Sequence, residues 1–162
     1  MVRHDLAFAE ERRSMRHMSP AAAPIWYTGR MSSAEAILGL KTGAEGLVDA
    51  VRLGLPIKSF TLVAEYTALS RQQLAAAAGI PLRTVQRRPA RLRPDESDRL
   101  ARVARIYALA EAVLGSRATA ERWMVTPNWS LDDMRPLDLL DTEVSAREVE
   151  DALGRIDEGA FA

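Results

Sequence analysis

The sequence predicts an all-α protein: an N-terminal helix-turn-helix region followed by a small acidic helical domain. Three observations carry that expectation. Apolar residues make up 48% of the chain and aromatic residues only 6%, and the alanine-rich balance favours closely packed helices over a sheet-based core. Apolar positions recur three and four apart in several segments, and no segment alternates with the period of two that a half-buried strand requires. Capping-box spacings and Gly or Pro stops punctuate the chain at helix-length intervals.

Taken in order, residues 1–30 lack sustained periodicity and contain SPAAAPIW. They read as a flexible leader, with Trp26 and Tyr27 able to anchor its end. Basic residues near the start are not followed by a continuous apolar run, so no secretory signal is expected. Thr42-Gly43-Ala44-Glu45 has capping-box spacing, and Leu47, Val48 and Val51 then share one helix face that Gly54 and Pro56 end. Ser59 is expected to cap the next helix, whose apolar positions are Phe60, Val63, Ala64 and Tyr66. Ser70 and Gln73 form a second capping box, opening a helix to Ala78, and Gly79 supplies a left-handed turn. Pro81 suits the first position of another short helix, which must end before Pro89.

Pro94-Asp95-Glu96 opens the longest helix, with acids over its positive pole. Leu100, Val103, Ile106, Tyr107, Ala110, Val113 and Leu114 form its apolar stripe, and Gly115 closes it. A shorter helix is expected over 117–125, a turn at Thr126-Pro127-Asn128, and one helical turn over 136–140. Ser145-Ala146-Arg147-Glu148 is a third capping box, starting a helix through Val149, Leu153 and Ile156 to Gly159. The expected organisation is therefore a leader over 1–30, a helix-turn-helix region over 31–93 and a helical domain over 94–162.

Composition narrows the function. The 162 residues include no cysteine, which excludes disulfides and thiolate metal sites and fits a reducing cytoplasm. No apolar run approaches the roughly 18 residues needed to span a bilayer. The only histidines, His4 and His17, lie in the leader, and there is no glycine-rich phosphate loop and no H-E-x-x-H. Asp132-Asp133 and Glu150-Asp151 are sequence neighbours, a spacing that does not converge two carboxylates on one substrate. No catalytic residue, metal ligand or cofactor is expected. The chain reads as a binding protein.

Its net charge of zero hides a polarity. Residues 1–93 hold 14 Lys and Arg against 7 Asp and Glu, whereas residues 94–162 hold 8 against 15. Such a division points to two different partners, one of them a polyanion. The basic charge concentrates in PLRTVQRRPARLR, residues 81–93, with five arginines and no acid. RQQLAAAAG followed by LRTVQRR has the lengths and the turn glycine of a helix-turn-helix. Ala75 falls at the helix crossing, and Leu74, Ala78, Ile80, Leu82 and Val85 are spaced to bury between the helices. Arg83, Thr84, Gln86, Arg87 and Arg88 then face outward. Arginine can grip guanine O6 and N7 with two bonds and glutamine can grip adenine N6 and N7, each worth roughly 1–3 kcal/mol of base discrimination. Arg91 and Arg93, beyond the helix, suit phosphate contacts. The plainer alternative is a solvated basic face, but such faces normally mix both signs.

The acidic half carries the more specific signal. Trp123, the turn Thr126-Pro127-Asn128, Arg135-Pro136-Leu137-Asp138-Leu139-Leu140, Thr142-Glu143, Ala146-Arg147-Glu148-Val149-Glu150 and Leu153-Gly154-Arg155-Ile156 with Gly159 follow one another in order. Pro94-Asp95-Glu96-Ser97-Asp98-Arg99-Leu100 precedes them. This series resembles the ParS/Xre/MbcA antitoxins, over about residues 56–162. The resemblance implies a type II antitoxin with an Xre-like helix-turn-helix, paired with a RES-domain toxin that consumes NAD or transfers ADP-ribose from it. It implies a DNA-binding part that represses its own operon, and a C-terminal part that covers the toxin's active site and, with the long helix, supports dimerisation. Arg83, Gln86, Arg87 and Arg88 fall on the implied DNA-reading helix. Arg135, Asp138, Arg147, Arg155, Asp157, Glu158, Gly159, Phe161 and Ala162 are the implied toxin-binding candidates, with Arg155 to Ala162 nearest the toxin.

Two features depart from the family pattern: Trp129-Ser130-Leu131-Asp132-Asp133 replaces a glycine-rich link, and Arg93 stands where a small capping residue is common. Residues 132–158 hold 10 Asp and Glu against 3 Arg, and such a surface would complement an arginine-lined pyrophosphate pocket. Plainer roles stand beside these. Arg135 can be a tie to Asp138 or Asp141, Asp138 a cap, Glu148 the capping partner of Ser145, and Trp123, Leu137, Leu139 and Val149 core. The alternative function is a stand-alone helix-turn-helix regulator with an acidic dimerisation domain. A third reading is an antitoxin whose arginines do not meet DNA. A homodimer is expected, since one short recognition helix needs a second copy to span two half-sites.

Overall fold

A computed structural model describes residues 33–40, 46–87 and 90–159, and among them local signals and burial together set eight helices. They are α1 (Ala34–Ile37), α2 (Leu47–Leu53), α3 (Ile57–Thr67), α4 (Arg71–Ala77), α5 (Leu82–Arg87), α6 (Pro94–Leu114), α7 (Arg117–Val125) and α8 (Glu143–Asp157). Short 3-10 turns at Trp129–Leu131 and Pro136–Leu139 link α7 to α8. The all-α expectation holds: among the described residues there is no strand, only isolated bridges between Pro56 and Arg91 and between Asn128 and Met134.

The long helix α6 is the frame. Its stripe of Leu100, Val103, Ala104, Ile106, Tyr107 and Ala110 is at most 1% exposed. Helices α1, α2 and α3 pack on it from the N-terminal half, and α7 and α8 from the C-terminal half. One buried cluster therefore runs from Ala34 to Leu153. Gly115 ends α6 in the left-handed conformation at φ 81°. Burial also pushes the Tyr107 phenol well above its ordinary pKa, with Glu121 adding to the effect, so this residue is a neutral core aromatic.

A buried cation ties the start of α8 to the long helix. Arg102, 9% exposed, donates through Nε to Glu143 at 2.9 Å and through Nη1 to the carbonyls of Leu140 and Asp141 at 3.3 Å. Its Nη2 lies 3.5 Å from Asp98. Arg105, one turn on, reaches Glu150 at 2.5 Å. A buried guanidinium costs several kcal/mol unless its donors are met, and here the start of α8 meets them. The register of α8 on α6 is thereby fixed.

Several local expectations are corrected. Ser59 does not cap α3; it lies inside that helix, fully buried, and donates to the Leu38 carbonyl at 2.7 Å. The N-cap is Pro56. The third capping box is displaced: Thr142 is the N-cap of α8, accepting from Ser145 N at 3.2 Å, so Glu148 is mid-helix and exposed. Val48 is 61% exposed, not part of the buried face, whereas Leu47 and Val51 pack against the core. Pro81 precedes α5 instead of starting it, its carbonyl accepting from Thr84 N at 2.8 Å. The Thr42–Glu45 capping box and the 1–30 leader lie outside the described residues, and α2 starts from Gly46.

Candidate recognition surfaces

The helix-turn-helix is built as the spacing predicts. Ser70 closes its capping box, accepting from Gln73 N at 3.2 Å while Gln73 Oε1 accepts from Ser70 N at 3.0 Å. Gly79 turns the chain at φ 57°. Leu74, Ala75, Ala78, Ile80 and Val85 are all buried, and Leu82 is half-buried. With that face committed inward, Arg83, Gln86 and Arg87 are exposed and Thr84 is half-buried. Among the described residues, neither Arg83 nor Arg87 has an ion-pair partner. Arg88 lies outside the described residues.

Beyond α5 the backbone is pinned to the start of α3. Ala90 O accepts from Ile57 N at 2.9 Å, and Leu92 N donates to Leu55 O at 2.9 Å. Leu92 is buried between them. The two arginines here have internal partners. Arg91 Nη1 donates to Gly54 O at 2.6 Å, and Arg93 Nε pairs with Asp95 at 2.9 Å. Arg93 nonetheless serves as the N-cap of α6: its backbone N donates to Glu96 at 2.7 Å, although its side chain cannot accept the reciprocal bond that a small hydroxyl residue would. Exposed Lys58, next to Ile57, adds a cation beside this segment, and only the fold brings it there.

The acidic surface is the outer face of α8. Ala146, Val149, Ala152 and Leu153 are fully buried. The intervening Arg147, Glu148, Asp151, Arg155, Asp157 and Glu158 are exposed. The α8 end turns at Gly159, φ 71°. Asp157, Glu158 and Gly159 thus stand at an exposed helix end, while Phe161 and Ala162 lie outside the described residues. Arg135 and Asp138 grip each other in a two-pronged pair at 2.6 and 2.8 Å, a structural tie within one turn. That bond raises the Arg135 guanidinium further above its ordinary pKa. Arg147 lies 3.7 Å from Glu143, a loose exposed pair.

Two features were not legible in advance. Arg102 gave no periodic signal, because its partners on α8 are 41 residues away. The link between α7 and the Arg-Pro-Leu segment carries Trp129 at 74% exposure and Met134 at 45%. It also holds Asp132 and Asp133 at φ 54° and 58°, the region glycine favours. Among the described residues, no group of three or more His, Cys, Asp or Glu side chains could hold a metal ion, and no helix is long and apolar enough to cross a membrane.

Comparison with known proteins agrees with this geometry. Residues 46–105 match the family model described as the antitoxin Xre-like helix-turn-helix domain. Residues 109–159 match that of the antitoxin Xre/MbcA/ParS C-terminal toxin-binding domain. Helix α6 passes from the first range into the second. The chain is 33% identical over 120 residues to an antitoxin Xre of Yersinia enterocolitica, covering 72% of this chain and 81% of that protein. It is 31% identical over 110 residues to an antitoxin Xre of Photorhabdus laumondii, covering 65% and 74% respectively. An antitoxin Xre of Pseudomonas putida is 43% identical over 83 residues, covering 49% and 52%.

Proposed function

Because the chain belongs to the Xre/MbcA/ParS family of antitoxins, with a helix-turn-helix domain and a C-terminal toxin-binding domain, we propose that it neutralises a RES-domain toxin and represses its own operon. It is a binding protein, not an enzyme. The α5 surface reads operator DNA: Arg83, Thr84, Gln86, Arg87 and Arg88 face base edges, and Arg91 and Arg93 lie near phosphates. Since Arg91 and Arg93 already have internal partners, any phosphate contact they make is shared with those bonds. Residues 155–162 close over the toxin's active site, where Asp157 or Glu158 meets cationic groups lining a pyrophosphate pocket. The remaining toxin contacts are Arg135, Asp138 and Arg147, the first two presented as one neutralised pair. The protein acts in the cytoplasm as a homodimer within a larger complex with its toxin.

The observation that carries this reading is the separation of charge. Exposed arginines face out from α5, and an acid-rich face is presented by α8, on a frame locked by Arg102. Complementary charge speeds encounter and rejects wrong partners more than it adds affinity. The test is co-expression with the RES-domain protein encoded beside this chain's gene. The full chain is expected to restore growth and to co-purify with that protein. Restored growth without a complex, or no protection, contradicts the reading.

A further inference from the structure

The link 126–135 has the features of a preformed anchor, not of a passive connection. Asn128 organises it: its backbone N donates to Met134 O at 3.0 Å, and its carbonyl accepts from Leu131 N at 2.9 Å and Asp133 N at 3.0 Å. Its side-chain Oδ1 accepts from Ser130 N and Ser130 Oγ, both at 3.0 Å. Leu131 pins the loop into the core at 6% exposure. The 129–131 turn packs on α8, so the loop is continuous with the α8 face of the toxin-binding domain. From this rigid base project Trp129, 74% exposed, and Met134, 45% exposed, while Val125 at the end of α7 is 38% exposed. Exposed Asp132 and Asp133 lie between Trp129 and Met134 in the left-handed region, which aspartate tolerates better than most residues.

Resting on the toxin-binding reading above, we propose that Trp129 is a partner-specificity anchor. It inserts into an apolar pocket on the cognate toxin whose rim is basic and faces Asp132 and Asp133. Tryptophans are enriched among the few residues that dominate interface affinity. An anchor carried on a loop whose backbone is already ordered loses less entropy on docking. The aspartates add charge complementarity that accelerates encounter with the basic rim. The contact selects which toxin is bound and is distinct from the segment that covers the active site.

The test uses the full chain and the purified toxin encoded beside its gene, with binding kinetics as the readout. Trp129→Ala is expected to weaken toxin binding by roughly 30-fold or more, mainly through faster dissociation. Trp129→Phe should retain binding within about tenfold. Thermal unfolding, oligomeric state and operator affinity should match the parent, because the ring is largely outside the core. The double variant Asp132→Asn, Asp133→Asn keeps residues tolerant of the left-handed region. It is expected to slow association at low ionic strength by roughly threefold or more. Toxin affinity unchanged in Trp129→Ala overturns the proposal, as does a loss explained by altered oligomeric state. If the parent chain itself fails to bind the toxin, the toxin-binding reading fails instead.

Discussion

Replacing Arg83 and Arg87 together with alanine is expected to lower operator affinity by roughly 30-fold to more than 1,000-fold at fixed salt. The range follows from two lost base contacts at about 1–3 kcal/mol each. Both side chains are exposed, and both lie on a helix whose opposite face is fixed by buried Val85. Their removal should leave the unfolding temperature within a few degrees and toxin neutralisation intact. The lysine pair Arg83→Lys, Arg87→Lys separates reading from attraction. It keeps the charge that draws phosphate but loses the two-pronged fork, so sequence discrimination should fall further than non-specific affinity. Operator titrations by mobility shift or fluorescence anisotropy measure both. Operator affinity that survives the double alanine change at physiological salt would remove α5 from the DNA interface.

Gly54→Ala is expected to be the most damaging single substitution for the N-terminal half. Gly54 sits at φ 87° and ψ 125°, a region in which L-residues are strained. A Cβ placed there would stand 2.3 Å from the Leu92 carbonyl oxygen, and that oxygen belongs to backbone, which cannot rotate aside. The same junction holds Leu92 N on Leu55 O and Arg91 on the Gly54 carbonyl. Left-handed strain of about 1–2 kcal/mol adds to overpacking of about 1–3 kcal/mol. For a chain of this size a loss of that order lowers Tm by roughly 5–20 °C. Because residues 90–93 must shift, operator binding should weaken as well. Calorimetry or circular dichroism reads the first effect, and an unchanged Tm would contradict the packing described at this junction.

How far the fold was legible depends on how local its causes are. The Ser70 box, the Gly79 turn, α6 from Pro94 to Gly115 and α7 over 117–125 follow from neighbouring residues, and each stands where the spacing puts it. Ser59 and Ser145 misled for a shared reason. A hydroxyl residue has the chemistry of a cap whether or not a helix begins there, and tertiary context drew Ser59 to Leu38 and placed Ser145 one turn inside α8. The outward set on α5 was readable because burying Leu74, Ile80 and Val85 leaves Arg83, Gln86 and Arg87 no other direction. The internal partners of Arg91 and the latch of Arg102 were not readable, because both contacts join segments 37 or more residues apart. The left-handed backbone at Asp132 and Asp133 was not readable either, because aspartate does not demand that conformation.

The division of the chain between two partners is tested most directly by truncation after Ile156, with both functions measured on one sample. That cut removes Asp157, Glu158, Gly159 and Phe161 but leaves Val149, Ala152 and Leu153 to hold α8 in the core. Neutralisation of the co-expressed toxin should be lost while operator affinity stays within about threefold of the full chain, since α5 is built entirely within the N-terminal half. Undiminished neutralisation by the truncated chain would contradict the placement of the toxin-covering segment at the end of α8.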